Sequence, residues 1–341
     1  MKKVGIIGVG EYQPEKILTN SQLEKMVDTS DEWITTRTGI KERHLAAAGQ
    51  AASDLAIKAA QQALANAKFK AEDIELIVVA TITGDMPFPS TAAILQNKLG
   101  AKKAVCFDIS AACAGFVYGI SVAQQFIACG PYKNALVVGV EVLSAITDWQ
   151  DRNTCVLFGD GSGAAVLAEV AKGGIISTYL GCDGSKVDIL NLPAGGSRNP
   201  ATQATVENRQ HFLKMQGNEL FKIAVNTMTR AAEVVLKQAG LTFADIDLII
   251  PHQANARIIM AVAKKLGIPE ERVYLNIERC GNMSSASTVT ALCEAVQEGK
   301  VKKGDIILLD AFGAGRVWGA CIIEGEPVEP SNGRLSFCRP G

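Results

Sequence analysis

The stretch that decides the fold covers residues 105–130, and it begins Val105-Cys106-Phe107-Asp108-Ile109-Ser110-Ala111-Ala112-Cys113-Ala114-Gly115-Phe116. Its first five residues are largely apolar and predict a strand, and the spacing of Phe116, Ile120 and Ile127 predicts a helix after it. Cys113 would then lie at a strand-to-helix turn. The unpaired N–H groups and partial positive charge of a helix start stabilise a thiolate and lower the pKa of a thiol placed there. On this stretch alone, a buried structural thiol is the alternative.

The composition argues against binding through a bulk electrostatic field. The chain has 341 residues, 34 basic and 35 acidic, and a formal net charge of -1. We therefore predict no nucleic acid and no membrane partner, and expect a charged partner to be recognised by a local patch. The nine cysteines are scattered and lack C-x-x-C spacing, which argues against a disulfide framework and against a zinc site. We predict a reducing, cytoplasmic location and no metal.

The N-terminal sequence predicts a first strand rather than a leader peptide. A short, glycine-interrupted apolar run, Val4-Gly5-Ile6-Ile7-Gly8-Val9-Gly10, follows the basic start, and no cleavage-site pattern follows it. No run in the chain reaches the roughly 18 to 20 apolar residues of a membrane span. We expect no membrane anchor.

An internal repeat predicts a duplicated α/β unit. Residues 67–78 and 239–250 share an Asp-Ile pair and the apolar run after it at a constant offset of 172. Such repeats place the junction between the halves near residue 170, with Gly173-Gly174 as the joint. The predicted parts are an N-terminal half at 1–170, a C-terminal half at 171–325 and a disordered tail at 326–341.

Polar or reactive side chains follow the predicted strands of both halves. They are Cys113, His252 in the loop after residues 246–250, Asn282 after a strand predicted at 273–277, and the glycine-rich Phe312-Gly313-Ala314-Gly315 after residues 306–310. In parallel α/β sheets, ligands bind beyond the carboxyl ends of the strands. If the halves pack face to face, these loops converge in one pocket.

Cys, His and Asn side chains suffice for acyl transfer through a thioester. Cys113 would be the nucleophile, while N–H donors on His252 and Asn282 would hold the enolate oxygen of a second substrate. Backbone N–H groups of Cys113 and of the 312–315 loop would form another oxyanion hole. Each signal alone has a structural alternative, a cap or turn for His252 and a turn for Asn282. Their equivalent positions in the duplicated units favour the catalytic interpretation.

Four ordered motifs resemble β-ketoacyl-acyl-carrier-protein synthase III of the thiolase superfamily. They are Asp108-Ile109-Ser110-Ala111-Ala112-Cys113-Ala114-Gly115-Phe116, Pro251-His252-Gln253-Ala254-Asn255, Gly281-Asn282-Met283-Ser284-Ser285-Ala286-Ser287 and Ala311-Phe312-Gly313-Ala314-Gly315. The resemblance covers about residue 3 to about residue 324. It implies a five-layered αβαβα thiolase-like fold, a homodimer, and no cofactor beyond the CoA thioester substrate. The implied reaction is the first condensation of type II fatty acid synthesis, in which an acyl-CoA primes the cysteine and malonyl-acyl carrier protein decarboxylates and attacks the acyl-enzyme.

The resemblance also implies roles for individual residues. Cys113 is the nucleophile, and His252 and Asn282 promote decarboxylation. Phe312 and Ala314 belong to the active-site wall and its oxyanion hole. The residues implied for CoA binding are Thr29, Trp33, Arg37, Arg152, Gly217 and Asn255, those for the acyl pocket are Phe88 from across the dimer interface, Leu143, Phe158 and Leu190, and those for docking the acidic carrier protein are Lys222, Arg257, Lys264 and Lys265.

Two positions depart from the family pattern, and several alternatives stay open. The family commonly has Gly where Ala314 stands, and alanine disfavours a positive φ, so we expect a reshaped oxyanion hole. Arg316 stands where an apolar residue is usual. The acyl-pocket residues have a plain core alternative, and the basic residues have that of a solvated helix face. The functional alternatives are a condensing enzyme of secondary metabolism, a thioester hydrolase with the same nucleophile, and a non-catalytic partner subunit.

Overall fold

The computed structural model describes residues 2–325, so the tail predicted at 326–341 lies outside the described residues. The strands are β1 (Val4–Tyr12), β2 (Lys16–Thr19), β3 (Glu42–Leu45), β4 (Leu76–Ala80), β5 (Val105–Ile109), β6 (Asn134–Val142), β7 (Asp160–Glu169), β8 (Gly174–Cys182), β9 (Leu190–Asn191), β10 (Lys214–Met215), β11 (Leu248–Pro251), β12 (Ile306–Gly313) and β13 (Val317–Glu324). The α-helices are α1 (Asn20–Leu23), α2 (Asp31–Thr38), α3 (Ala52–Asn66), α4 (Thr91–Leu99), α5 (Gly115–Cys129), α6 (Arg152–Cys155), α7 (Gln203–Glu207), α8 (Gly217–Ala239), α9 (Ala256–Leu266), α10 (Ile277–Cys280) and α11 (Ser285–Gln297).

The N-terminal part of the chain forms a five-stranded sheet in the order β1-β7-β6-β4-β5. β5, β4 and β6 run parallel, as the predicted βαβ series requires, and β7 and β1 add antiparallel strands. Every residue of β4 and β6 is buried. A strand covered on both faces has a nearly continuous apolar sequence, which is why both strands were predictable.

The C-terminal part repeats this arrangement in a four-stranded sheet with the order β11-β12-β13-β8. β11 and β12 are parallel, while β13 and β8 are antiparallel, so these strands correspond to β4, β6, β7 and β1. The helices correspond in the same order, α3 to α8, α4 to α9 and α5 to α11. β4 begins at Leu76 and β11 begins at Leu248, which is the offset of the sequence repeat, so the predicted duplication is confirmed.

The two sheets and the long helices stack in five layers. On the outer face of the first sheet, α3 and α4 pack in one apolar cluster with β4, β6 and β7. α5 and α11 lie between the sheets, and one cluster joins their side chains, including Phe116, Ile120 and Val289, to strands of both sheets. α8 and α9 cover the far face of the second sheet. The expected αβαβα thiolase fold is confirmed.

One segment, Ala112–Cys129, is long and apolar enough to cross a membrane when only length and composition are considered. It comprises α5 and the turn before it. Its apolar side chains pack between the two sheets, and core helices commonly meet the same criterion. Its hydrophobicity is therefore accounted for by the middle layer of the fold.

The chain passes from the first sheet to the second in a short turn between β7 and β8. Gly173 and Gly174 there have φ values of 63° and 90°. A Cβ on Gly174 would lie 2.4 Å from the carbonyl oxygen of Val4, so this joint requires glycine. The division into 1–170 and 171–325 stays a prediction, and the position of this turn supports it.

The strand predicted at 273–277 is wrong. Only its first residue bridges β11, and α10 begins at Ile277. Gln253 supplies the physical reason, because its Oε1 accepts hydrogen bonds from the backbone N–H groups of Asn276 at 3.1 Å and Ile277 at 3.2 Å. A side chain thereby satisfies backbone donors that a strand would pair with its neighbour.

Candidate active site

The three predicted catalytic residues line one cavity, whose volume is about 670 Å³. Cys113 lies between β5 and α5, His252 lies in the loop after β11, and Asn282 lies between α10 and α11. β5 belongs to the first sheet and β11 to the second. The structure thus brings together in one cavity side chains from both halves of the sequence.

Cys113 lies in a 3-10 turn, Ala112–Ala114, that leads into α5. Ala112 has a φ of 44°, a left-handed conformation that is uncommon for alanine. The turn packs against Gly313, where a Cβ would lie 2.6 Å from the Cys113 nitrogen, so this approach requires glycine. Burial raises the pKa of the Cys113 thiol to about 12. The expectation of a lowered thiol pKa is wrong, because desolvation of the thiolate outweighs the effect of the helix start.

His252 is 2% exposed, and neither of its ring nitrogens has a hydrogen-bond partner among residues 2–325. Its backbone N–H donates to the carbonyl oxygen of Asp310 on β12 at 2.7 Å, which fixes the loop to the neighbouring strand. Burial lowers the pKa of His252 to about 3. The imidazole is therefore neutral near pH 7, with one ring N–H to donate and one nitrogen to accept a proton.

Asn282 is held through its backbone and its carbonyl oxygen. Its N–H donates to the Leu157 carbonyl oxygen at 2.9 Å, and its own carbonyl oxygen accepts from the Gly159 N–H at 3.0 Å. Its Oδ1 accepts from the backbone N–H of Ser284 at 2.8 Å. Ser284 has a positive φ of 46°, close to the 44° of Ala112, which lies 172 residues earlier, at the offset of the sequence repeat. These contacts make Nδ2 the group that Asn282 presents to the cavity.

Phe312 and Ala314 take different positions at the end of β12. Phe312 is 5% exposed and lines the cavity, whereas Ala314 lines a small neighbouring pocket. In this loop the positive φ values belong to Gly315, at 75°, and Arg316, at 47°. Ala314 needs no such conformation, so the expected reshaping by alanine is not seen. Arg316 forms an ion pair with Asp183.

Three planar side chains stack at one end of the site. Trp33 and Arg37 lie one turn apart on α2, and both line the cavity. The guanidinium carbons of Arg37 and Arg152 lie 5.6 Å and 5.4 Å from the centre of the Trp33 ring. Arg152 is held outside the cavity lining, where it donates to the Asp28 carbonyl oxygen at 2.8 Å. Such a stack suits a flat purine base.

The other residues expected to bind CoA divide into two groups. Gly217 begins α8 and Asn255 caps α9, and both line the cavity. The Nδ2 of Asn255 also donates to the Arg37 carbonyl oxygen at 3.0 Å, which ties the start of α9 to α2. Thr29 is outside the cavity lining, and its buried Oγ1 has no hydrogen-bond partner in the described part of the chain.

The residues expected to form the acyl pocket also divide. Leu143, Phe158 and Leu190 pack in one apolar cluster with Leu213. Phe158 and Leu190 line the cavity, and Leu143 backs the cluster. Phe88 is 85% exposed and does not line the cavity, so its expected role requires a partner subunit and stays a prediction.

The four basic residues expected to dock the carrier protein are all exposed, but they lie at different distances from the cavity. Lys222 on α8 and Arg257 at the start of α9 line it. Lys264 and Lys265 lie at the other end of α9, about 10 Å along the helix axis from Arg257. Lys265 also donates to the Asn226 side chain on α8 at 2.7 Å. Only the first pair is placed to guide a substrate directly into the site.

Two family models match the chain. Residues 107–184 match the model described as 3-oxoacyl-[acyl-carrier-protein (ACP)] synthase III, and residues 236–324 match its C-terminal model. The β-ketoacyl-[acyl-carrier-protein] synthase III of Caldanaerobacter subterraneus subsp. tengcongensis is 57% identical over 321 residues, which cover 94% of this chain and 97% of that protein. This chain belongs to the β-ketoacyl-[acyl-carrier-protein] synthase III family.

Solved structures of related enzymes have the same fold. The synthase III of Aquifex aeolicus VF5 is 47% identical in sequence and has a TM-score of 0.87. The match covers 94% of this chain and all of that chain. The priming β-ketosynthase of the R1128 polyketide biosynthetic pathway is 35% identical in sequence and has a TM-score of 0.89. The match covers 96% of this chain and 97% of that chain. The first matched segment of the synthase III models contains Cys113, and the second contains His252 and Asn282.

Sequence analysis missed two features of this synthase III site. Leu220, Ala224 and Met228 line the cavity at four-residue spacing along α8, a helical pattern that could have indicated them. Glu141 on β6 is completely buried. The sequence could have indicated it, since Glu141 is an acidic residue inside the apolar run 136–142. A carboxyl group is rarely buried unless it is hydrogen-bonded, so such a residue predicts polar partners in the core.

Proposed function

We propose that this protein condenses a priming acyl-CoA with malonyl-acyl carrier protein, which yields CO₂ and β-ketoacyl-acyl carrier protein and initiates type II fatty acid synthesis. The observation that carries the proposal is the convergence of Cys113, His252 and Asn282 in one cavity. Membership of the synthase III family supports the same reaction.

In the first step, the sulfur of Cys113 attacks the carbonyl carbon of the acyl-CoA, and the bond to the CoA sulfur breaks. The buried thiol is neutral at rest, so its proton must leave as the new bond forms. The proton is transferred to the departing CoA thiolate, which leaves as the thiol, and His252, whose low pKa makes it a weak base, is not required for this step. The backbone N–H of Cys113, which lies beside Gly313, would stabilise the negative charge on the carbonyl oxygen.

In the second step, malonyl-acyl carrier protein loses CO₂, and the electron pair of the broken C–C bond forms an enolate. The ring N–H of His252 and the Nδ2 of Asn282 would donate to the enolate oxygen. The enolate carbon then attacks the Cys113 thioester, and the released sulfur regains a proton. Two neutral donors can serve this step repeatedly without a change in their own charge.

Substrate binding and assembly complete the proposal. The stack of Trp33, Arg37 and Arg152 would hold the CoA adenine, and Lys222 with Arg257 would attract the acidic carrier protein. A homodimer would cover the exposed Phe88. The reaction would take place in the cytoplasm, where the unpaired cysteines of the described residues would stay reduced.

The test separates the two half-reactions. The protein is incubated with radiolabelled acyl-CoA, and mass spectrometry then locates the acyl group. The wild type should carry it on Cys113, and Cys113→Ala should carry no acyl group. His252→Ala and Asn282→Ala should still be acylated at Cys113 but should lose most of the release of CO₂ from malonyl-acyl carrier protein. Normal acylation of Cys113→Ala would overturn the proposal, and a free acid as the main product would replace it with hydrolysis.

A second candidate is priming of a secondary-metabolite pathway by the same chemistry. The similarity to the R1128 priming ketosynthase, at 35% identity and a TM-score of 0.89, supports this second candidate. A scan of acyl-CoA primers against malonyl-acyl carrier protein and malonyl-CoA distinguishes the two. A preference for malonyl-CoA as the extender would favour the second candidate.

A further inference from the structure

A buried carboxylate links the loop after β4 to the start of α11. Glu141 on β6 is fully buried, and both of its oxygens accept hydrogen bonds. Oε1 accepts from the Ser284 hydroxyl at 3.1 Å and lies 3.0 Å from the Ser285 hydroxyl, which also contacts the Ala80 carbonyl oxygen at 2.8 Å. Oε2 accepts from the Thr83 hydroxyl at 2.6 Å and the Ile82 N–H at 3.1 Å. Glu141 therefore joins segments from both halves of the molecule directly behind the cavity.

The donor set around Glu141 accommodates an anion without a cation. The Thr81 hydroxyl also donates to Oε2, at 3.3 Å, so four donors besides Ser285 serve one carboxyl group. No lysine or arginine side chain bonds to Glu141 within residues 2–325. Hydroxyl and N–H donors stabilise the charged form, while burial raises the pKa of this carboxyl group and opposes that stabilisation.

Ser284 connects Glu141 to Asn282, one of the residues that carry the proposed function. Its backbone N–H donates to Asn282 Oδ1 at 2.8 Å, and its hydroxyl donates to Glu141 Oε1 at 3.1 Å. The positive φ of Ser284, at 46°, is costly for a residue with a side chain. The hydrogen bond to Glu141 helps to hold this conformation and, with it, the orientation of the Asn282 amide.

We propose that Glu141 is a positioning residue that acts through Ser284 and orients the Asn282 amide for the decarboxylation of malonyl-acyl carrier protein. This inference rests on the proposed function, in which the Asn282 amide donates to the enolate oxygen.

The experiment measures CO₂ release from malonyl-acyl carrier protein, with Ser285→Ala as the matched control. The hydroxyls of Ser284 and Ser285 both lie within hydrogen-bond distance of the same Glu141 oxygen, but only Ser284 is bonded to Asn282 through its N–H, and the Ser285 hydroxyl also contacts the Ala80 carbonyl oxygen at 2.8 Å. Glu141→Gln and Ser284→Ala should lower kcat by about tenfold at a similar KM, and Ser285→Ala should lower it less. Equal losses in the two serine variants would assign Glu141 a merely structural role. If the wild type released no CO₂, the proposed function would fail, whereas release by the wild type with an unchanged kcat in Glu141→Gln would overturn only the role of Glu141.

Discussion

A fall in pH from 8 to 5 should destabilise the folded protein through His252 alone by about 2 kcal/mol. Burial places the pKa of His252 at about 3, below its ordinary value of 6.5, so the folded protein resists a proton that the unfolded chain accepts. The stability associated with this group is complete above pH 6.5 and is lost progressively as the pH falls from 6.5 towards 3. At pH 5 the unfolded chain is almost fully protonated at this site, which gives the stated magnitude.

Urea unfolding at pH 8 and pH 5, for the wild type and for His252→Gln, isolates this contribution. Other groups titrate over the same range, among them Glu11, whose pKa burial raises to about 8, but they titrate in both proteins and cancel in the comparison. The loss of unfolding free energy should therefore be about 2 kcal/mol greater in the wild type. Equal losses in the two proteins would refute the reasoning, because they would mean that the folded protein protonates His252 near its ordinary pKa.

The neutral state of His252 should also determine how the rate of decarboxylation depends on pH. With a pKa of about 3, well under about 1% of His252 is protonated at pH 5.5. Decarboxylation of malonyl-acyl carrier protein by Cys113→Ala, which removes the thiol from the titration, should keep its rate from pH 8 down to pH 5.5. A decline with a midpoint near pH 6.5 would contradict the neutral donor.

Three further substitutions test the parts of the cavity separately. Trp33→Ala removes the centre of the stack, so it should raise the KM for acyl-CoA by about tenfold in steady-state assays and leave the KM for malonyl-acyl carrier protein unchanged. Equal effects on the two KM values would contradict this. Arg257→Glu should raise the KM for malonyl-acyl carrier protein by about tenfold at low salt and less at high salt. Lys264→Glu, further along α9, should raise this KM less. A larger effect of Lys264→Glu than of Arg257→Glu would place the docking surface at the other end of α9. Phe158→Ala should enlarge the apolar wall of the cavity and shift the ratio of kcat/KM towards longer acyl-CoA primers, and an unchanged chain-length profile would show that Phe158 is only core.

The fold was predictable wherever one local pattern determined one element. β4 and β6 have continuous apolar sequences because they are covered on both faces, and the repeat placed their counterparts β11 and β12 correctly. The region at 273–277 failed because its backbone is satisfied by the Gln253 side chain. A hydrogen bond from a distant loop leaves no periodic signal, so sequence spacing could not reveal it.

The site was predictable in its membership and less so in its energetics. Convergence of Cys113, His252 and Asn282 followed from the duplication and from the resemblance to a known family. The pKa of Cys113 did not, because the sequence shows a helix start but not how much water the fold removes. Glu141 was missed for a related reason, since its hydrogen-bond donors come from segments that meet only in the folded protein.

The matched turns at Ala112 and Ser284 have an evolutionary consequence. They occupy equivalent positions in the two repeats, precede the corresponding helices α5 and α11, and have nearly equal φ values of 44° and 46°. An ancestor assembled from two identical copies of this unit would have presented two equal elbows to a symmetric cleft. Divergence left a cysteine at the first elbow and an asparagine and a serine at the second. Because each half now presents a side chain that the other lacks, a duplicate of either half would supply only part of this set.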